Sequence, residues 1–335
     1  MILTFKIQHG RDFGDELRKA RQVAEFAVAH RVISSAAVKH FGLKAVISNQ
    51  LLRKYGRNKT CKAVRSVNLI VPNQGIRLDR QTHAIEIPCL KLRLPYQFRD
   101  DFTKVNQIEL NAEYAFVSVT IPEATPRHVT QWLGIDRNAT GHCAVVANPT
   151  TGKVLKLGKS GHHLHWKYRQ TRRRFQRKGK LSLAKKTKDR ESRIVRDLNH
   201  KISRKVVNYA LKHKAGIVLE DLKGVRKTKK QCKAFRDFLH SWPFYQLGQF
   251  IEYKAKLLGI PVVKIDPRYT SQQCSRCGLL GTRAKKRFVC ACGHVEDADV
   301  NAAFVIAERY QRILRFPADR DVGKGRIDTP RMATA

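Results

Sequence analysis

Two cysteine pairs, Cys274/Cys277 and Cys290/Cys292, lie in one stretch that runs from Asp266 to Tyr310. Four thiols this close in sequence constrain the chain strongly, because one tetrahedral metal ion can hold them all. Zinc is the ion that takes such a ligand set. Cys274-Ser-Arg-Cys277-Gly has the spacing of a zinc knuckle, and Gly278 and Gly293 permit the tight turns. Cys290-Ala-Cys292-Gly is one residue tighter than the usual pair. The natural reading is a four-cysteine site for one structural Zn2+. His294 is the substitute ligand if the short pair cannot bind through both sulfurs. Cys61, Cys89, Cys143 and Cys232 are scattered in apolar or basic surroundings. Eight cysteines in 335 residues make no disulfide scaffold, so a reducing cytoplasm is expected.

Carboxylates follow the cysteines at once. Glu296, Asp297 and Asp299 open a predicted helix, with Asn301 two residues further on. Two earlier segments, LGIDRNATG and GIVLEDL, each bring an acid to the end of an apolar run: Asp136 and Glu220. A strand end is a rigid platform, and α/β sheets bind their ligands there. Acids from two strand ends and one helix start can converge on two divalent cations about 4 Å apart, the arrangement that hydrolyses phosphodiesters. Mg2+ suits the task because it prefers oxygen ligands and keeps several waters. A single acid after a strand is commonly a turn residue or a helix cap, so the reading rests on all three together. Asp297 and Asp221 compete for the same roles. Asp221 follows Glu220 directly, so strand alternation turns it to the opposite face.

The charge names the partner class. Lys and Arg number 67 against 27 acids, a net charge of +40. A compact body so charged repels itself unless an anion neutralises it, and nucleic acid does this best. A membrane surface fits poorly: no apolar run is long enough to span, and no lipidation motif is present. MILTFKIQHG lacks the features of a signal peptide. A basic helical segment from about His163 to Lys214 carries Arg172, Arg173, Arg174, Arg177 and Lys178, with only Asp189, Glu191 and Asp197 as acids. These cations are expected to lie along a nucleic-acid backbone; the plainer reading is a solvated surface helix.

Hydrophobic periodicity supplies the rest. Residues 1–8 suggest a strand, and 15–55 are helical, with two helices around Gly42 and an N-cap at Ser34 or Ser35. Those two helices read either as a helix-turn-helix or as a small helical bundle. From Val67 to Ile121 the period becomes two, which suggests a small antiparallel barrel interrupted by the helical segment. Beyond Gln131 strands alternate with helices: WLGIDR, CAVVAN and KVLKLG, then GIVLED, a helix over 242–258, and IPVVKID. That alternation indicates an α/β sheet. The tail after Arg315 has no periodicity and is expected to be disordered.

The ordered set GIDRNATG, LEDL, DPRYTSQQCSRCG, FVCACG and DADVNAAF resembles the TnpB family, insertion-sequence-encoded relatives of the type V CRISPR effectors. The likeness is close over about 130–310; before that it is one of arrangement. It implies a multidomain α+β chain. Its parts are a RuvC-like, RNase H-type nuclease domain at 126–266 and 297–315 and an inserted zinc module at 267–296. A wedge-like barrel at 1–9 and 67–125, a helical recognition lobe at 10–66 and the tail at 316–335 complete it. Carried over by position, the resemblance makes Asp136, Glu220 and Asp299 catalytic and prefers Asp299 to Asp297. It implies RNA-guided cleavage of double-stranded DNA beside a short motif, with a guide RNA from the mobile element as partner, in a prokaryotic nucleoid. The alternatives are a nuclease-inactive guided repressor, which would lack an acid, and a DNA-joining transposase. Oligomeric state, guide and motif stay open.

Overall fold

The computed structural model describes residues 1–98, 101–138, 141–222 and 244–315. The expected tail at 316–335, the turn residues 139–140 and Cys232 fall outside them. By internal packing the chain divides into two units, Met1–Glu123 and Ala124–Ala335.

The first unit begins with β1 (Ile2–Gln8), then α1 (Gly14–His30), a 3-10 helix at Ser35–Phe41 and α2 (Ala45–Leu51). The first of the two helices expected around Gly42 is thus a 3-10 helix. Ser34 caps it by accepting from the Ala36 amide, and Gly42 ends it at φ +68. Six short strands follow: β2 (Leu69–Pro72), β3 (Arg77–Asp79), β4 (Ala84–Ile87), β5 (Leu92–Pro95), β6 (Lys104–Leu110) and β7 (Tyr114–Thr120). Where a small barrel was expected, the strands form two antiparallel sheets, β1-β7-β6-β2 and β3-β4-β5. A 3-10 turn at Asn73–Gly75 separates β2 from β3, so β2 pairs with β6 and β3 starts the second sheet.

The second unit holds β8 (Gln131–Arg137), β9 (Ala144–Ala147), β10 (Val154–Leu157), α3 (Ser160–Arg177), α4 (Leu181–Lys212) and β11 (Ala215–Glu220). After these come α5 (Phe244–Leu257), β12 (Val262–Ile265), β13 (Thr282–Ala284), β14 (Arg287–Val289), β15 (Val295–Asp297) and α6 (Ala298–Arg315). Gly179, at φ +67, divides the long basic segment into two helices. The main sheet runs β10-β9-β8-β11-β12, with β8, β11 and β12 parallel and β9 antiparallel to both neighbours.

The two faces of this sheet differ. Leu133, Ile135, Val146, Ile217 and Leu219 point to one face, where Val206 and Val207 of α4 and Leu247 and Ile251 of α5 bury them. Each such buried aliphatic contributes about 1.5–3 kcal/mol. The other face carries Gly134 and Asp136 and is covered by α6. A Cβ on Gly134 would sit 1.9 Å from the Ala303 carbonyl oxygen and 2.6 Å from the Ala307 nitrogen. Only glycine permits so close an approach of two backbones. Trp132, two residues before Gly134, meets the Tyr310 ring at a centroid distance of 4.5 Å. Helix α6 therefore runs antiparallel to β8 and in register with it. Two strand residues advance about 6.8 Å and one helical turn about 5.4 Å. One step beyond the Gly134–Ala303 contact, the strand presents Asp136 and the helix presents Asp299.

Candidate active site

Asp136 and Glu220 stand at the C-terminal ends of adjacent parallel strands. Leu219 pairs with Ile135, so the next residue on each strand is an acid, and both point toward α6. Asp299 lies in the first turn of α6. All three are buried, at 7%, 7% and 2% exposure. Asn138 Nδ2 donates to Asp136 Oδ2 at 2.8 Å, and the Thr270 hydroxyl donates to Glu220 Oε1. Arg283 Nη2 donates to Asp299 Oδ1 at 3.0 Å, while Lys286 pairs with Oδ2. Burial, then the neighbouring Glu220 and Asp299 charges, push the Asp136 carboxyl up to about 8. Burial also raises Glu220, against the Thr270 hydrogen bond and the Arg137 charge. The Asp136 carboxyl thus feels the charges of Glu220 and Asp299, acids from distant parts of the chain.

The two competing acids have other employment. Asp297 Oδ1 accepts from the amides of Asp299 at 3.0 Å and Val300 at 3.3 Å, so it caps α6. Its Oδ2 accepts from Lys156 at 3.2 Å. Burial opposes ionisation of Asp297, but Lys156 and these amides outweigh it and hold the carboxyl low. Asp221 follows the strand end, where its amide donates to the Ile265 carbonyl at 2.8 Å. Its charge acts on Arg137, the neighbour of Asp136 that points to the opposite face.

The four cysteines converge. Their sulfurs all lie within 4.8 Å of one another, with Cys274 to Cys292 at 3.8 Å and Cys277 to Cys290 at 3.5 Å. A tetrahedral ion with bonds of about 2.3 Å requires sulfurs roughly 3.8 Å apart, so this cluster could hold zinc. Burial pushes Cys290 up to about 12, while the His294 amide brings Cys292 down to about 7. His294 stands outside the cluster, with Nε2 3.4 Å from Ser275 Oγ. Gly278 and Gly293 adopt φ +77 and +82, as the two tight turns require.

Sequence reasoning missed the residues that tie cysteines to acids. Asn301, fully buried, donates from Nδ2 to the Gln273 carbonyl at 2.7 Å and accepts the Ser275 amide on Oδ1 at 3.0 Å. It thereby clamps the first knuckle to α6. Arg309 reaches the same segment, donating to Gln273 Oε1 at 2.9 Å and to the Arg268 carbonyl at 2.6 Å. Thr270 joins the segment to Glu220, and Arg283 and Lys286 join the hairpin β13–β14 to Asp299. The only hint was proximity, since Thr270 precedes Cys274 by four residues and Asn301 follows Asp299 by two.

The five basic residues expected to contact nucleic acid are not alike. Arg173, Arg174, Arg177 and Lys178 are exposed. Arg172 turns inward and pairs with Glu191 of α4, which also takes His165 Nδ1 at 2.8 Å. That pair fixes the rotation of α3 against α4.

The chain is similar to several known proteins. A family model described as the TNB domain of Cas12f1-like proteins matches residues 244–306. A CRISPR-associated endodeoxyribonuclease Cas12f1 of Sulfoacidibacillus thermotolerans is 45% identical over 114 residues, covering 32% of this chain and 26% of the relative. TnpB-like protein MJ0751 of Methanocaldococcus jannaschii is 38% identical over 138 residues, 40% of this chain and 50% of that one. The chain is thus similar to TnpB-like proteins and to Cas12f relatives of the type V effectors. Its matches span a quarter to a half of the length of those two curated relatives. At the level of fold, this chain is similar to a Cas12f1 solved by cryo-electron microscopy with sgRNA and target DNA. The TM-score is 0.60 at 16% identity, over 88% of this chain and 81% of that one. Among the described residues no helix is long and apolar enough to cross a membrane.

Proposed function

We propose that the chain is an RNA-guided DNA endonuclease that cuts at one RNase H-like (RuvC-like) site made of Asp136, Glu220 and Asp299. The observation that carries this reading is the meeting of three buried acids at two parallel strand ends and one helix start. The raised Asp136 and Glu220 carboxyls mark oxygen donors whose charge a divalent cation would relieve, while Arg283 and Lys286 hold Asp299. Asp136, Glu220 and Asp299 would hold Mg2+, as a pair of ions that activates a water and stabilises the leaving oxygen. The chain's own residues do the orienting: Asn138 holds Asp136, Thr270 holds Glu220, and the Asp297 cap fixes the turn that bears Asp299. Cys274, Cys277, Cys290 and Cys292 would hold one structural Zn2+ and keep the Asn301 clamp in place. The relatives' names supply the guide and the target: an endodeoxyribonuclease, and a complex with sgRNA and target DNA. Arg173, Arg174, Arg177 and Lys178 would contact phosphates. Residues 1–9 and 67–125 would act as the wedge and 10–66 as the recognition lobe. Base pairing would read the sequence while protein reads backbone and a short flanking motif.

The test is single replacement of Asp136, Glu220 or Asp299 by Ala in protein loaded with guide RNA. Cleavage of matched DNA should fall about ten-thousand-fold, as for members of one catalytic unit, with RNA and DNA binding retained. Full cleavage by Asp299→Ala, with loss in Asp297→Ala, would reverse the assignment of that pair.

A further inference from the structure

The solvent face of α3 holds more than charge. His163, Trp166, Lys167, Arg173, Arg174 and Arg177 are all exposed and recur at helical spacing, so they form one stripe. No acid occurs anywhere on α3. The opposite face is anchored by the buried His165–Glu191–Arg172 cluster, so the stripe is held outward. Trp166 leaves 56% of its surface in solvent, which is unusual for so large an apolar side chain. The His163 ring lies nearly parallel to it, 28° between planes, with centroids 6.5 Å apart. That separation is close to two base steps of about 3.4 Å. The two rings thus present neighbouring aromatic faces on the exposed stripe, against which a flat heterocycle can stack.

We propose that His163 and Trp166 form a stacking site for one unpaired nucleobase, while Lys167 and the arginines of the stripe hold the phosphates that follow it. From Trp166 to Arg177 the helix rises about 16 Å, enough to track several phosphates. An aromatic platform beside a cationic track is how proteins hold single strands without reading sequence. The proposal rests on the nucleic-acid reading above, and it adds a subsite that charge alone does not need.

The experiment titrates the full chain with four probes: a short oligoadenylate RNA, its DNA counterpart, an abasic oligomer with the same phosphates, and a blunt RNA duplex. Fluorescence and affinity are read for wild type, Trp166→Ala, Trp166→Phe and the Arg173→Glu/Arg174→Glu double variant. Expected for Trp166→Ala is about a ten-fold loss on oligoadenylate, with unchanged affinity for the abasic oligomer and the duplex. Trp166→Phe should keep most of the binding, and the arginine variant should weaken every probe. The RNA and DNA arms tell which strand supplies the base. If Trp166→Ala binds base-bearing and abasic oligomers in the wild-type ratio while the arginine variant is weak, the stacking site is overturned and the phosphate track survives. If neither variant changes any affinity, both fall. A change in sedimenting mass with no change in affinity would assign the face to a second copy of the chain and also overturn the site.

Discussion

The two faces of the five-stranded sheet are built to different rules. One is a broad aliphatic layer pressed on by α4 and α5. The other has glycine and alanine at the Gly134–Ala303 contact, and it ends in three buried acids. The first face holds the fold together, and the second carries the acids of the proposed site. Small side chains let α6 come close enough to bring Asp299 to Asp136, and large ones would push it away.

Breaking the acid face should therefore cost activity and not stability. Asp136→Ala is expected to abolish cleavage, as set out above, yet to leave the metal-free protein's Tm unchanged or raised, because one member of a buried like-charged set is gone. A fall of several degrees would mean that the acids support the fold. Stripping the cysteine cluster is the next largest effect. Elemental analysis should give one zinc per wild-type chain and none for Cys274→Ser, whose 266–301 segment should loosen because structural zinc binding contributes to folding. Zinc retained in Cys292→Ser but lost in His294→Ala would make the histidine the fourth ligand.

On the aliphatic face, Leu219→Ala should lower stability by about 2–5 kcal/mol in denaturant unfolding. Cleavage per folded molecule should hold. Gly134→Ala tests the join between the faces: the added methyl has no room against Ala303, so α6 must shift. Cleavage should fall about a hundred-fold, the scale set by misplacing a reacting group by 1 Å, with zinc still bound. The smallest effect is the finest. Thr270→Val removes the donor to Glu220 while keeping its shape, and should raise the Mg2+ concentration for half-maximal cleavage about ten-fold. Thr270→Ser should restore it, and equal behaviour of the two variants would show that the hydroxyl does not position Glu220.

What could be read in advance follows from how local each signal is. Asp136 and Glu220 were legible because each ends an apolar run, and strand ends are local facts. The sulfur cluster was legible from spacing. Asp299 was preferred to Asp297 only through the family resemblance, because a helix cap and a site acid two residues apart look alike in sequence, and the cap made by Asp297 appears only in the structure. Arg172 was grouped with its neighbours because its partner, Glu191, sits on another helix. The expected barrel became two sheets because pairing of β2 with β6 spans a distance that periodicity cannot see. Gly134, Thr270 and Asn301 do their work through contacts far along the chain, and nothing in their immediate surroundings announces it.

The position of α6 in chain order has a consequence for the living cell. Asp136 and Asp299 are separated by about 160 residues. A ribosome needs on the order of ten seconds to make that length. Throughout that interval the emerging polypeptide has at most two of its acids and no complete site, and the sheet lacks the helix that closes its reactive face. On the proposed reading the site cannot be complete until Asp299 has been made, so a translation product that stops before that residue would lack the third acid and should cut no DNA.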